Sequence, residues 1–209
     1  MLRLALLAVL VGVALSQTPA PCITPSQFTA RASQYDHKDD QINRFYVAYD
    51  ATNKRRAIFE EQNVIVPGRQ FREFLEIGSE NVMYEINLTL KTCTKIPMRR
   101  PWRVYGIPPN ATFENEYYIG GPGEEVFAQE WSDRIPYRQR EFWVGVFSLN
   151  NCYPIREVII ADYEQVNSTI TTNFYDIVQG IPNPNDFLVP AECTTAEWAP
   201  HASVKVPYL

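Results

Sequence analysis

Apolar and polar positions alternate along most of this chain with a period of two, the pattern of extended strands, whose successive side chains point to opposite faces. In Val82–Leu90 one parity carries Val82, Tyr84, Ile86, Leu88 and Leu90, and the other carries Met83, Glu85, Asn87 and Thr89. One face of that strand is expected to meet the core and the other water. Stretches rich in Val, Ile, Thr, Tyr, Phe and Trp, bounded by turn formers, predict ten strands. They are Gln27–Tyr35, Ile42–Tyr49, Arg55–Glu61, Phe71–Ile77, Val82–Leu90, Glu114–Ile119, Glu125–Trp131, Arg140–Leu149, Ile155–Tyr163 and Ser168–Val178. Helix-period patterns are scarce. The expected fold is all-β and mainly antiparallel, a sandwich or an open, curved barrel with few short helices. Gly120-Gly121-Pro122-Gly123 falls between two strands with no helix-forming segment after it, so it reads as a hairpin turn and not a phosphate cradle.

Two strands depart from simple alternation. Phe142–Phe147 places Phe142, Val144 and Val146 on one face and Trp143, Gly145 and Phe147 on the other. Ile42–Tyr49 is likewise apolar on both sides, with Tyr46 and Ala48 opposed to Phe45, Val47 and Tyr49. A two-layered antiparallel body normally buries one face of each strand, so these need a second covering. The chain's own proline-rich segments, a second subunit, or a ligand held in an apolar cavity could each supply it.

The sequence has 19 basic and 24 acidic residues, a net charge of −5, which argues against a nucleic-acid partner because no basic excess is available to displace counterions from phosphate. Residues 1–16 carry one charge, at Arg3, then an unbroken apolar stretch to Leu15 and small residues at Ala14 and Ser16. That is the form of a secretory signal peptide, too short to span a bilayer, and it predicts a single mature domain over 17–209 that is exported and not membrane-spanning. All four cysteines, Cys22, Cys93, Cys152 and Cys193, lie in the mature part, where an oxidising compartment favours two disulfides. Asn87, Asn110 and Asn167 each open an Asn-x-Thr sequon and are candidate glycan acceptors.

Catalytic chemistry finds little foothold. The only histidines are His37 and His201, no G-x-S-x-G elbow presents a serine, and bridged cysteines are not nucleophiles. Glu60-Glu61 and Glu124-Glu125 are adjacent in strands and so point to opposite faces. Asp36, Asp39 and Asp40 form the densest local set of oxygens and are weak candidates for calcium, with a solvated turn as the plainer reading. No organic cofactor is expected.

Several stretches resemble the ependymin and ependymin-related proteins. They include Cys22-Ile23-Thr24-Pro25, Phe28 to Asp36, Tyr49-Asp50-Ala51, Val82-Met83-Tyr84-Glu85-Ile86, Thr92-Cys93-Thr94-Lys95, Ile107-Pro108-Pro109-Asn110-Ala111-Thr112-Phe113, Tyr118-Ile119-Gly120-Gly121, Trp143-Val144-Gly145 and Asn151-Cys152-Tyr153-Pro154. The resemblance covers nearly the whole mature chain. It implies a secreted or lysosome-routed glycoprotein without catalytic activity, usually a homodimer, built as two stacked antiparallel sheets around a deep apolar pocket, an architecture shared with bacterial lipoprotein carriers. It further implies pairing of Cys22 with Cys152, which leaves Cys93 for Cys193; the additional pair of mammalian relatives is absent here. Two readings of function follow. One is a carrier that binds a fatty acid or other lipid in its cavity, with Phe142, Trp143, Val144, Val146, Phe147, Tyr84, Ile86 and Leu88 as lining candidates. The other is a calcium-dependent glycoprotein of cell adhesion whose partner is the extracellular matrix.

Overall fold

The expected alternation becomes eleven strands hydrogen-bonded into one antiparallel sheet. The computed structural model describes residues 19–199 except 63, 66, 99–101, 103, 136–140, 164 and 165, and the side chains of 161–163, 166 and 167 are outside the description too. The expected leader, 1–16, lies outside the described residues. In chain order the strands are β1 (Gln27–Asp36), β2 (Gln41–Asp50), β3 (Arg55–Gln62), β4 (Gln70–Ile77), β5 (Val82–Asn87), β6 (Thr92–Pro97), β7 (Thr112–Ile119), β8 (Val126–Ser132), β9 (Trp143–Ser148), β10 (Pro154–Tyr163) and β11 (Val166–Gln179). Two 3-10 turns follow, Pro184–Phe187 and Ala191–Cys193.

Two meanders, β1 to β6 and β7 to β11, are joined edge to edge by the β1–β11 ladder, which leaves β6 and β7 as the two edges of an open sheet. The chain must therefore travel from one edge to the other between β6 and β7. It does so across one face, with Met98, Trp102 and Tyr105 packed on Phe28, Phe45, Tyr49 and Phe74. The Tyr105 amide donates to Tyr49 Oη at 2.8 Å, and the Tyr105 hydroxyl donates to Glu157 of β10 at 3.1 Å. This is called the crossover face below.

The opposite face of β2 to β6 is covered by the C-terminal strap. Phe187 and Cys193 pack against Ala48, Ala57, Leu75, Val82, Tyr84 and Ile86. A disulfide from Cys193 to Cys93 of β6 holds the strap, and a parallel bridge between Lys95 and Trp198 extends the contact. The Arg55 guanidinium lies 4.2 Å from the centre of the Phe187 ring. The second disulfide, Cys22–Cys152, ties the segment before β1 to the turn after β9, where Gln129 donates to Cys22 Sγ at 2.9 Å. The double covering that β2 requires thus comes largely from the chain itself.

Two expectations about Val82–Leu90 are corrected. The strand stops at Asn87, because the Asn87 carboxamide oxygen accepts from the amides of Thr89 and Leu90 and turns the chain, with Lys91 at φ 54°. Its supposed wet side is dry: Met83 joins the crossover-face core and Glu85 is buried against Arg72. The turn makes room for β6, an additional strand. The glycine run 120–123 forms the β7–β8 hairpin turn, where a Cβ on Gly120 at φ 108° would run into the Glu124 carbonyl.

Candidate functional site

Beside the strap, side chains of β1 to β4 and β11 on the same face line a strip of surface, with Tyr46 and Phe59 at the strap's margin. Antiparallel register sets the side chains there in two rows. In the first, Tyr175 of β11 stands opposite Arg31, Arg31 opposite Tyr46, and Tyr46 opposite Phe59. In the second, Arg44 stands opposite Glu61 and Glu61 opposite Phe71, with Leu88 beside Phe71 because its backbone N–H donates a hydrogen bond to the Phe71 carbonyl oxygen at 3.1 Å. These residues enclose an open groove of about 280 Å³. Its floor is aromatic, the Tyr46 and Phe59 rings lying 5.9 Å apart. Its sides keep large apolar groups in water, with Phe71 47%, Leu88 44% and Tyr175 41% exposed.

Charge frames the groove unevenly. Toward the strap, the Tyr46 hydroxyl donates to Asp186 Oδ2 at 3.1 Å, and burial together with the Asp186 charge raises its pKa. Glu73, next to Phe59 across β3 and β4, is buried there, and burial, then the charges of Asp186 and Glu192, push its carboxyl up to about 7. Away from the strap Arg31 and Arg44 extend into solvent, Arg31 3.8 Å from Asp176 and Arg44 4.0 Å from Glu61.

The residues singled out from the sequence do not converge on one site. Tyr84 and Ile86 lie beneath the strap, whereas Leu88, beyond the end of β5, lines the groove. Trp143 and Phe147 share the crossover face, where the Trp143 indole donates to Glu157 at 2.6 Å; Val144 and Val146 alternate to the other side, and Phe142 precedes β9. Burial, then the Glu157 carboxylate, hold the Tyr105 phenol well above the ordinary tyrosine range, so Tyr105 is a fixed donor to that site. Asn110 is exposed in the turn before β7, Asn87 is half-buried, and Asn167 lies in β11 with its side chain outside the described residues. Asp36 accepts from the amides of Lys38 and Asp39 and from Ser168, and Asp40 accepts from the Tyr35 hydroxyl. Among the described residues no group of three or more His, Cys, Asp or Glu is placed to hold a metal ion. Nor is any helix there long and apolar enough to cross a membrane.

Phe59, Phe71 and Tyr175 of the groove were each visible as members of predicted strands, but nothing in the sequence brought them together. Their parity gave the only signal.

The Ependymin family model matches residues 67–193, from the segment entering β4 to the strap cysteine. The chain belongs to the ependymin family. It is 38% identical over 180 residues to mammalian ependymin-related protein 1 of Rattus norvegicus, covering 86% of this chain and 79% of the relative. It is 26% identical over 145 residues to ependymin of Clupea harengus, covering 68% and 66% respectively. In fold this ependymin-family chain is similar to an uncharacterized conserved protein from Thermus thermophilus, with a TM-score of 0.54, 10% identity, and coverage of 84% of this chain and 91% of that one.

Proposed function

We propose that this ependymin-family protein is a non-enzymatic binder of an apolar ligand, and that the groove on the strap face receives it. The reading is carried by the convergence of Phe71, Leu88 and Tyr175, each about half exposed, on a single hollow floored by Tyr46 and Phe59. Large apolar side chains grouped at one exposed hollow support a binding role more than singly scattered ones do. Each methylene taken from water into the groove contributes about 0.8 kcal/mol. The apolar leader and the two long-range disulfides support the further proposal that the protein is exported and works outside the cytosol.

Native mass spectrometry of the delipidated protein after incubation with mixed lipids tests this. The folded wild type is expected to retain lipid, and Phe71→Asp and Leu88→Asp, both at exposed positions, are expected to lose it. A folded protein that retains none would overturn the proposal; retention undiminished in both variants would move the site elsewhere.

A further inference from the structure

We infer that the groove selects amphiphiles with an anionic head, held by Arg31 and Arg44, with the tail lying across Phe59 toward Phe71 and Leu88. This rests on the apolar-ligand reading above and assigns the chemistry of the ligand's polar end. Arg31 stands directly opposite Tyr46, and Arg44 lies two residues from Tyr46 on the same strand and the same face. Diagonal neighbours of this kind are about 7–8 Å apart at Cα, within joint reach of one carboxylate or phosphate for side chains as long as arginine. Both side chains line the groove and are 66% and 60% exposed.

What distinguishes these two arginines is how loosely they are engaged. Arg55 and Arg56 are fixed on buried carboxylates at 2.9 and 2.8 Å. Arg31 reaches Asp176 only at 3.8 Å and Arg44 reaches Glu61 only at 4.0 Å. Glu61, the carboxylate of the second row, already accepts from Arg69 at 2.9 Å, so Arg44 is the surplus cation there. Exposed pairs at such distances contribute about 0–1 kcal/mol and rearrange at little cost, whereas a fork of guanidinium N–H groups on an anionic head forms charge-assisted hydrogen bonds. At the strap end the carboxylates of Asp186 and Glu192 repel an anion, which places the head at the arginine end and the tail away from it.

Dodecanoate and dodecyl phosphate supply the two sources of such a head and 1-dodecanol the neutral control, each titrated below micelle formation into the full-length mature protein by calorimetry. The anionic ligands are expected to bind at least tenfold more tightly than dodecanol. Arg31→Gln/Arg44→Gln should bring that ratio to about one, and 0.5 M salt should reduce it in the wild type. A carboxylate preferred over a phosphate, or the reverse, names the source. Equal affinity for dodecanol and both anions, or a ratio untouched in the double variant, overturns the head-group assignment while leaving the apolar reading standing. Binding of none of the three by folded protein overturns both. An unchanged thermal midpoint of the double variant, expected for exposed positions, shows that a lost preference is not a lost fold.

Discussion

Trp102 closes over Gly78 so tightly that a Cβ on Gly78 would lie 2.9 Å from Trp102 Cε3 and 3.0 Å from the Lys54 carbonyl oxygen. The indole is also stacked on Tyr49 at 5.8 Å and 12°, a contact that any shift of the ring would disturb. Gly78→Ala is therefore expected to destabilise the fold by about 1–3 kcal/mol through overpacking. Gly121→Ala, where a Cβ meets nothing within 4 Å, is the control and should stay within about 0.5 kcal/mol. Guanidinium unfolding of both variants checks this; equal midpoints would show that the crossover segment gives way easily and does not anchor the sheet.

Strap attachment is the second point at which the fold can be challenged. Cys93 and Cys193 are separated by 100 residues, a closure that chain entropy values at about 4–5 kcal/mol. The variant Cys93→Ser/Cys193→Ser should lose a large part of that and should uncover Leu75, Tyr84 and Ile86. The Lys95 amide, bonded to the Glu197 carbonyl in the wild type, reports strap release by hydrogen exchange. Wild-type protection at that amide in the double serine variant would mean that Phe187 packing alone retains the strap.

Strand identity was legible in the sequence because each run needed only its own alternation. Where a run went wrong, the cause was local: Leu88-Thr89-Leu90 continues the parity of Val82 to Ile86, but the Asn87 carboxamide captures two amides and ends the strand. The dry side of β5 was hidden because Glu85 looks like a surface residue until Arg72 from the neighbouring strand meets it. The groove was hidden for the same reason on a larger scale. Arg31, Arg44, Phe59, Phe71 and Tyr175 sit on five different strands, and only the register of the β11–β1–β2–β3–β4 ladders makes them neighbours.

Asp50 should make the protein sensitive to acid. Burial alone would raise its pKa, but hydrogen bonds from Asn53, Gln27 and Arg55 outweigh burial and hold the carboxyl at about 2. The folded pKa lies below the ordinary 3.8, so its contribution is complete above that value and disappears as pH falls through about 2. The difference corresponds to about 2 kcal/mol. Urea unfolding between pH 5 and 2 should show that loss, and Asp50→Asn, already weakened at pH 7 by the missing charge-assisted bond to Arg55, should show less of it. A variant as acid-sensitive as the wild type would place the acid response at other carboxylates.

Glu73 imposes the opposite dependence at higher pH. Its carboxyl is buried under the strap, with Asp186 and Glu192 of the two 3-10 turns adding negative charge and the Tyr46 hydroxyl engaged by Asp186. A folded pKa of about 7 against the ordinary 4.5 means that the fold holds the proton more tightly than the unfolded chain does. The resulting stability is fully present below 4.5 and is lost as pH rises through 7, a change of about 3 kcal/mol. Glu73→Gln, neutral at every pH, is expected to be more stable than the wild type at pH 8, to match it near pH 4.5, and to flatten the profile between. Asp186→Asn should lower the Glu73 midpoint without abolishing it, because burial is the larger cause. The carboxyl carbon of Glu73, followed by NMR through a pH titration, separates these outcomes: a midpoint near 4.5 in the folded wild type would show that water reaches the carboxylate beneath the strap, and the alkaline loss of stability would then disappear with it.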